Sequence, residues 1–364
     1  MGQDRALSEG PVNSSLAVAA LVLVASVLFM LPLVPAWLEL RRKSDALPLS
    51  VVQQNAGEIR YFSDSFRAYI KGLEPIMLRC VAGGTTASGT LPDGEEYVVV
   101  GRADEPLVLA PKQRDKTHLV MGGGVDLILP AETRFAKDIY AGGQFIGGVK
   151  NSYRAILGEK NVRLGAESRV LRWVHAVGEF TADMGCKLFG RISSDSLIRV
   201  QAGCSFLRLN APRIEIGRLA RNQDESPPNS GIRAGMVRRV LHDGDFEIHS
   251  GEVIARDIVV RGKLHICSGA RICGSVKSDH DMLLDGGVSV EGSLISARKM
   301  SIGPHCTIHG PVVAEREIAI ATGSRCGTVE HPTTVSAPRI EVDQGVLVFG
   351  TLWARESGQV VAGL

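Results

Sequence analysis

The chain has 364 residues, of which 45% are hydrophobic and only 5% aromatic, with 41 Lys and Arg against 39 Asp and Glu. That length allows two ordinary domains or one long repeat domain, and 41 glycines favour a turn-rich β architecture with an aliphatic core. A formal charge of +2 without a long basic run leaves no electrostatic footprint for nucleic acid, which is not expected as a partner.

After a short tail (1–15), residues 16–38, LAVAALVLVASVLFMLPLVPAWL, carry no charge. At about 1.5 Å per residue this stretch predicts a single transmembrane helix across a hydrocarbon core of about 30 Å, in contact with lipid. Pro32 and Pro35 are placed to kink or end it. Arg41, Arg42 and Lys43 follow at once, so the positive-inside rule places the large C-terminal part in the cytoplasm. A cleaved signal peptide would need a basic start and a shorter apolar core.

Residues 39–121 read as a juxtamembrane lead-in. Ile59, Phe62, Phe66, Tyr69, Ile70 and Leu73 recur at helical spacing, which predicts a short amphipathic helix lying on the membrane or capping the domain behind it. A strand-like EEYVVVG follows at 95–101.

From Gly244 the sequence repeats at a constant interval, the step from Phe246 to Leu264 and again from Leu264 to Met282. One apolar column reads Phe246, Leu264, Met282, Met300, Ile318, Ile340, and a second reads Ile254, Ile272, Val290, Ile308, Cys326, Val348. A third holds Gly274, Gly292, Gly310 and Gly350, with Arg256 and Thr328 as exceptions. The fifth block, from 316, is four residues longer than the others. Apolar residues two apart indicate strands, and the recurrent Gly suggests corners that need positive φ. Strands this short cannot bury their own faces. Stacked at about 4.8 Å they line their aliphatic columns into one dry core, which defines a parallel β-helix of three-sided coils, each about 18 residues long. The pattern runs more loosely upstream, and APRIEIG (211–217) nearly repeats APRIEVD (337–343). The expected layout is a first β-helix segment at 122–217, a loop at 218–237 containing Pro227-Pro228-Asn229, a second segment at 238–355 and a tail at 356–364. Either one rod with a loop breaking out or two stacked rods satisfies it.

Blocks such as GKLHICSGARICGSVKSD (262–279) and RKMSIGPHCTIHGPVVAE (298–315) resemble the bactofilins, the polymer-forming cytoskeletal proteins of bacteria. The resemblance is clearest over 244–355. It implies a right-handed triangular β-helix that polymerises end to end without nucleotide, associates with the bacterial inner membrane and scaffolds cell-wall, envelope or cell-shape machinery. A full apolar span, a long lead-in and a doubled helical segment depart from the family pattern.

A stacked rod ends in unpaired backbone groups that recruit further strands. The last coil, PRIEVDQGVLVFGTLWAR, ends in large apolar side chains. Val346, Val348, Phe349, Leu352 and Trp353 are therefore the candidate face for docking a second copy. Alternatively, Trp353 merely covers the last coil.

Chemistry is sparse. The seven Cys form no C-x-x-C and read as small core residues in a reducing compartment. Most of the nine His sit at outward repeat positions, such as His265 and His309, while His175 in RWVHA has no evident partner in the sequence. No phosphate-binding loop, metal cluster or carboxylate groove stands out. The expectation is a non-enzymatic protein without cofactor, metal or catalytic residues. The alternatives are an acyltransferase-like β-helix enzyme and a monomeric membrane-tethered binding scaffold.

Overall fold

The computed structural model describes residues 14–34, 60–102, 115–116, 118–217 and 239–361. It separates into residues 1–58 and a compact unit of residues 59–364.

In the first unit, helix α1 spans Ser14–Met30. Its side chains from Val18 onward are exposed and apolar, apart from Ser26, whose hydroxyl donates to the Val22 carbonyl at 2.8 Å. Seventeen residues rise about 26 Å, short of a bilayer core. A turn at Leu31–Pro32 follows, where Pro32 has no N–H to continue the ladder. Among the described residues no helix is long and apolar enough to cross a membrane. Residues 35–38 of that stretch, and Arg41, Arg42 and Lys43, lie outside the described residues.

The second unit is a parallel β-solenoid of about 13 turns. It is built as two stacks, rod one from Glu96 to Ile216 and rod two from Val240 to Val361. In rod two the early coils contribute three short strands each, every one paired in parallel with its equivalent in the next coil, and the last turns merge into the long strands Thr333–Asp343 and Val346–Val361. The partners form unbroken columns: Phe246, Leu264, Met282, Met300, Ile318 and Ile340 on one face, and Ile254, Ile272, Val290, Ile308, Cys326 and Val348 on another. The four extra residues fall near Thr328–Pro332, since Val312 pairs with Val335 and Cys326 with Val348.

Rod one uses the same columns, with longer strands. Val120, Ile139, Ile156, Val174, Ile192 and Leu209 make one ladder. Strands such as Ser152–Gly158 and Arg169–Ala176 turn a corner through a register shift rather than a loop, so a single strand serves two faces. This rod holds most of the core rings: Phe135, Phe145, Tyr153, Phe180 and Phe206 are essentially buried. The coils begin earlier than the expected boundary at 122, because Glu96–Val100 already pairs in parallel with Leu119–Gly122. They also run past 355, to Val361.

The glycines divide into two kinds. Gly251, Gly269, Gly287, Gly323 and Gly345 occupy a corner position with φ between 70° and 84°, which His305 shares at 58°. In the column picked out by sequence, Gly350 has a φ of 113° but Gly274, Gly292 and Gly310 do not have positive φ. A Cβ on Gly292 would lie 2.5 Å from the Gly274 backbone, and one on Gly310 would lie 2.5 Å from that of Gly292. Close stacking of coils, rather than a strained corner, excludes a side chain there. Arg256 is tolerated because it belongs to the first coil of rod two, below which no coil stacks among the described residues.

The amphipathic segment becomes helix α2 (Tyr61–Ile70), a 3-10 turn (Lys71–Leu73) and helix α3 (Glu74–Gly83), which closes on Gly84 with φ 56°. These helices flank rod one. Phe66, Ile70, Leu73, Met77 and Cys80 form a second core with the outward-facing Leu119, Met121, Ala155, Leu157 and Trp173. Arg67 joins this strap to the rod through paired hydrogen bonds to Glu159 at 2.7 and 3.0 Å. Arg60 reaches Asp195 at 2.8 Å.

Candidate functional site: the edges of the rods

A solenoid acts through its exposed edges or through side chains set on its faces. The edges differ sharply here. Rod one ends in the strand Ser205–Ile216, the junction strand. Rod two ends in Val346–Val361, the closing strand. These two pair antiparallel over nine registered positions on all three faces: Phe206 opposite Gly358, Leu209 opposite Leu352, and Ile214 opposite Val348. One continuous hydrophobic core therefore runs through both rods.

This pairing corrects the expected docking face. Val346, Val348 and Leu352 are fully buried and Phe349 nearly so, against rod one of the same chain. Trp353 remains 39% exposed, with the Arg208 guanidinium 5.0 Å from its ring centroid. The prediction of a sticky edge identified adhesive residues, but the partner is intramolecular.

At the other end of rod one, the strand Thr86–Thr90 pairs antiparallel with Glu96–Val100 and closes that face with a short polar segment, TASGT. Such an edge is a poor template for further pairing. The first coil of rod two is different. Val240–His242, Phe246–Ile248 and Val253–Ile254 each pair with the second coil alone, among the described residues. Leu241 is 52% and Val253 64% exposed, and the rings of His242 and Phe246 stack 3.7 Å apart. This coil is an apolar parallel edge with its outer hydrogen-bonding groups unpaired by any described strand.

On the face of rod one, His175 has the partners that sequence could not supply. The parallel register puts Ser193 directly beside it, with Nδ1 2.9 Å from Ser193 Oγ. Its Nε2 lies 3.8 Å from Asp195 Oδ2. The trio has the residue types of a hydrolytic triad. However, His175 is 2% and Ser193 5% exposed beneath the strap, and Ser193 Oγ also contacts the Val174 carbonyl at 3.3 Å. A nucleophile must reach its substrate; this one is packed against protein. Desolvation pushes the His175 pKa below its usual value, with Asp195 opposing.

The cysteines are free thiols, with Cys80, Cys186, Cys204, Cys306 and Cys326 buried in the cores. Burial raises the Cys326 thiol to about 12, which keeps it protonated and unreactive. Comparison with protein-family models, with curated proteins and with solved structures returns no match.

Proposed function

We propose that this protein is a bactofilin-like structural rod. It is anchored at the bacterial inner membrane through the apolar segment 16–38, with the solenoid in the cytoplasm. The coils have the right-handed, triangular form that the sequence resemblance implies. The rod associates with a second copy, without nucleotide or cofactor, and presents a rigid surface on which envelope or cell-shape proteins assemble. No step of this role is enzymatic.

The observation that carries the reading is the first coil of rod two. Its three strands lack an outer partner among the described residues, and Leu241 and Val253 stand out from them. A second copy fits this edge because the chain already satisfies two such ends against each other: the junction and closing strands pair antiparallel across all three faces. Two first coils meeting about a two-fold axis would repeat that arrangement between molecules.

The test uses the full chain in detergent micelles, free of nucleotide. Analytical ultracentrifugation and negative-stain microscopy should show rods joined tip to tip. Leu241→Lys with Val253→Lys, both at exposed positions, should return single rods with unchanged circular dichroism. A wild-type protein that stays monomeric across micromolar concentrations, or an assembly that survives the double substitution, overturns the reading.

A further inference from the structure

The outward face of rod two carries a set of donors that the scaffold role does not use. Glu247 on the first coil and His265 on the second are register partners. Cys267 follows two residues after His265 and points to the same side. One ligand atom from each of Glu247, His265 and Cys267 lies within 4.8 Å of the others. Cys267 Sγ is 3.6 Å from Glu247 Oε1, and His265 Nδ1 is 3.7 Å from Glu247 Oε2. Around a tetrahedral zinc, with bonds of about 2.0 Å to N and O and about 2.3 Å to S, donors sit roughly 3.3–3.5 Å apart. The two spacings to Glu247 are a few tenths of an ångström wider and the His265–Cys267 pair lies within 4.8 Å, a gap for side-chain rotation to close.

Two neighbours complete the set. His265 Nε2 lies 3.1 Å from Asp285 Oδ1 on the third coil. The pair is at ion-pair distance without hydrogen-bond geometry, and a small rotation of the ring on metal binding would make Asp285 the usual carboxylate support for a metal-bound imidazole, with Nδ1 toward Glu247 and Cys267. His249 follows Glu247 by two residues, with Nδ1 3.9 Å from Glu247 Oε1 and the side chain 81% exposed, free to swing in as a fourth ligand. The same columns carry Leu283, Ser301 and Ala319, and Gly303 and Ala321, further along the rod. The imidazole and thiol donors are thus confined to the coils next to the open end, although the columns return to carboxylates at Glu341 and Asp343.

We propose that Glu247, His265 and Cys267, with His249 as fourth ligand, bind a divalent transition-metal ion of the zinc class. On binding, the Cys267 S–H bond breaks, the sulfur pair is donated to the metal, and the proton leaves to bulk water. No electron is transferred. A thiolate with imidazole selects such an ion over magnesium or calcium, which prefer oxygen shells. The ion ties the first coil to the second where no further described coil supports it, and so stiffens the edge.

Full-length protein in detergent is titrated with Co²⁺ as the spectroscopic probe and then with Zn²⁺. A single equivalent should produce a thiolate-to-cobalt charge-transfer band that zinc displaces and magnesium does not. Cys267→Ser should abolish the band. Asp285→Asn should weaken affinity roughly 10–100-fold while leaving the band's shape intact. Zinc should also slow amide exchange across Val240–Val260. No charge-transfer band, or a band that persists in Cys267→Ser, overturns the assignment. His265→Asn, a change at a half-exposed position, gives a second check that does not involve the thiol: an unchanged cobalt affinity in that variant also overturns it.

Discussion

Asn210 donates its side-chain Nδ2–H to Thr351 Oγ1 at 2.7 Å, across 141 residues of sequence. The two residues are register partners at the seam between the rods, beside Leu209 opposite Leu352. A part-buried polar stitch thus backs an aliphatic contact in the core. Leu352→Ala should cost about 2–5 kcal/mol, the range for truncating a buried Leu. Because it cuts the layer that joins the two stacks, urea unfolding should change from one transition to two. A single transition shifted as a whole would show that the rods do not depend on this layer for their coupling.

The two glycine classes predict different responses to alanine. Gly292→Ala forces a methyl into the neighbouring coil's backbone and should destabilise by about 1–3 kcal/mol through overpacking. At Gly269 nothing lies within 4 Å of a new Cβ, but φ is +70°. Gly269→Ala should cost roughly 1–2 kcal/mol, through backbone strain alone. Crystal structures of the two variants should show displaced coils in the first and an unmoved stack in the second.

His175 should make stability depend on pH. It is buried neutral, with Asp195, Arg60, Arg67 and Asp64 as the surrounding charged groups, and its folded pKa lies below the ordinary 6.5. The unfolded chain therefore takes up the proton first. Stability is full above about pH 6.5 and declines as the pH falls toward the depressed folded value. Chemical denaturation of wild type between pH 7.5 and 5 should show that loss, and His175→Gln should flatten it. Equal slopes in both proteins would assign the acid sensitivity elsewhere.

Releasing the strap should leave the rod folded. Phe66 meets Trp173 edge-on at a centroid separation of 5.9 Å, and Arg67 holds Glu159. Trp173→Ala should remove about 3–5 kcal/mol, mostly from the second core. Amide exchange across Tyr61–Gly83 should accelerate while the ladders of rod two keep their protection. Uniform acceleration throughout the molecule would mean that helices and solenoid unfold as one.

Rod two is legible in sequence because successive coils spend the same length of chain, so Leu264, Met282 and Met300 align by simple counting. Rod one blurs the count: Ile139 pairs with Ile156, a shorter step than in rod two, where a strand rounds its corner. The seam leaves almost no periodic trace, since it joins ends rather than repeats. Its one sign is the near-identity of APRIEIG and APRIEVD, which fall in the last coil of rod one and the next-to-last of rod two. Apolar crowding at Val348, Phe349 and Leu352 marks an edge that needs a partner, but composition cannot distinguish a second molecule from a segment of the same chain. Helix α3 is hard to see in the sequence because EPIMLRCVAG shows less periodic contrast than the stretch before it. Glu247, His265 and Cys267 are invisible as a group, since their proximity arises only when two coils stack.

The antiparallel seam also has a kinetic consequence. Rod one can wind as it leaves the ribosome, each coil templating the next through contacts close in sequence. Its last strand is complete at Ile216, yet the strand that covers it does not begin until Val346. At 5–20 residues per second, that leaves a bare, aggregation-prone edge for on the order of ten seconds. During that interval a neighbouring nascent chain could add its own closing strand to the waiting edge, exchanging halves between molecules. Slow elongation or dense polysomes would therefore favour swapped dimers, a misassembly that the finished rod no longer permits.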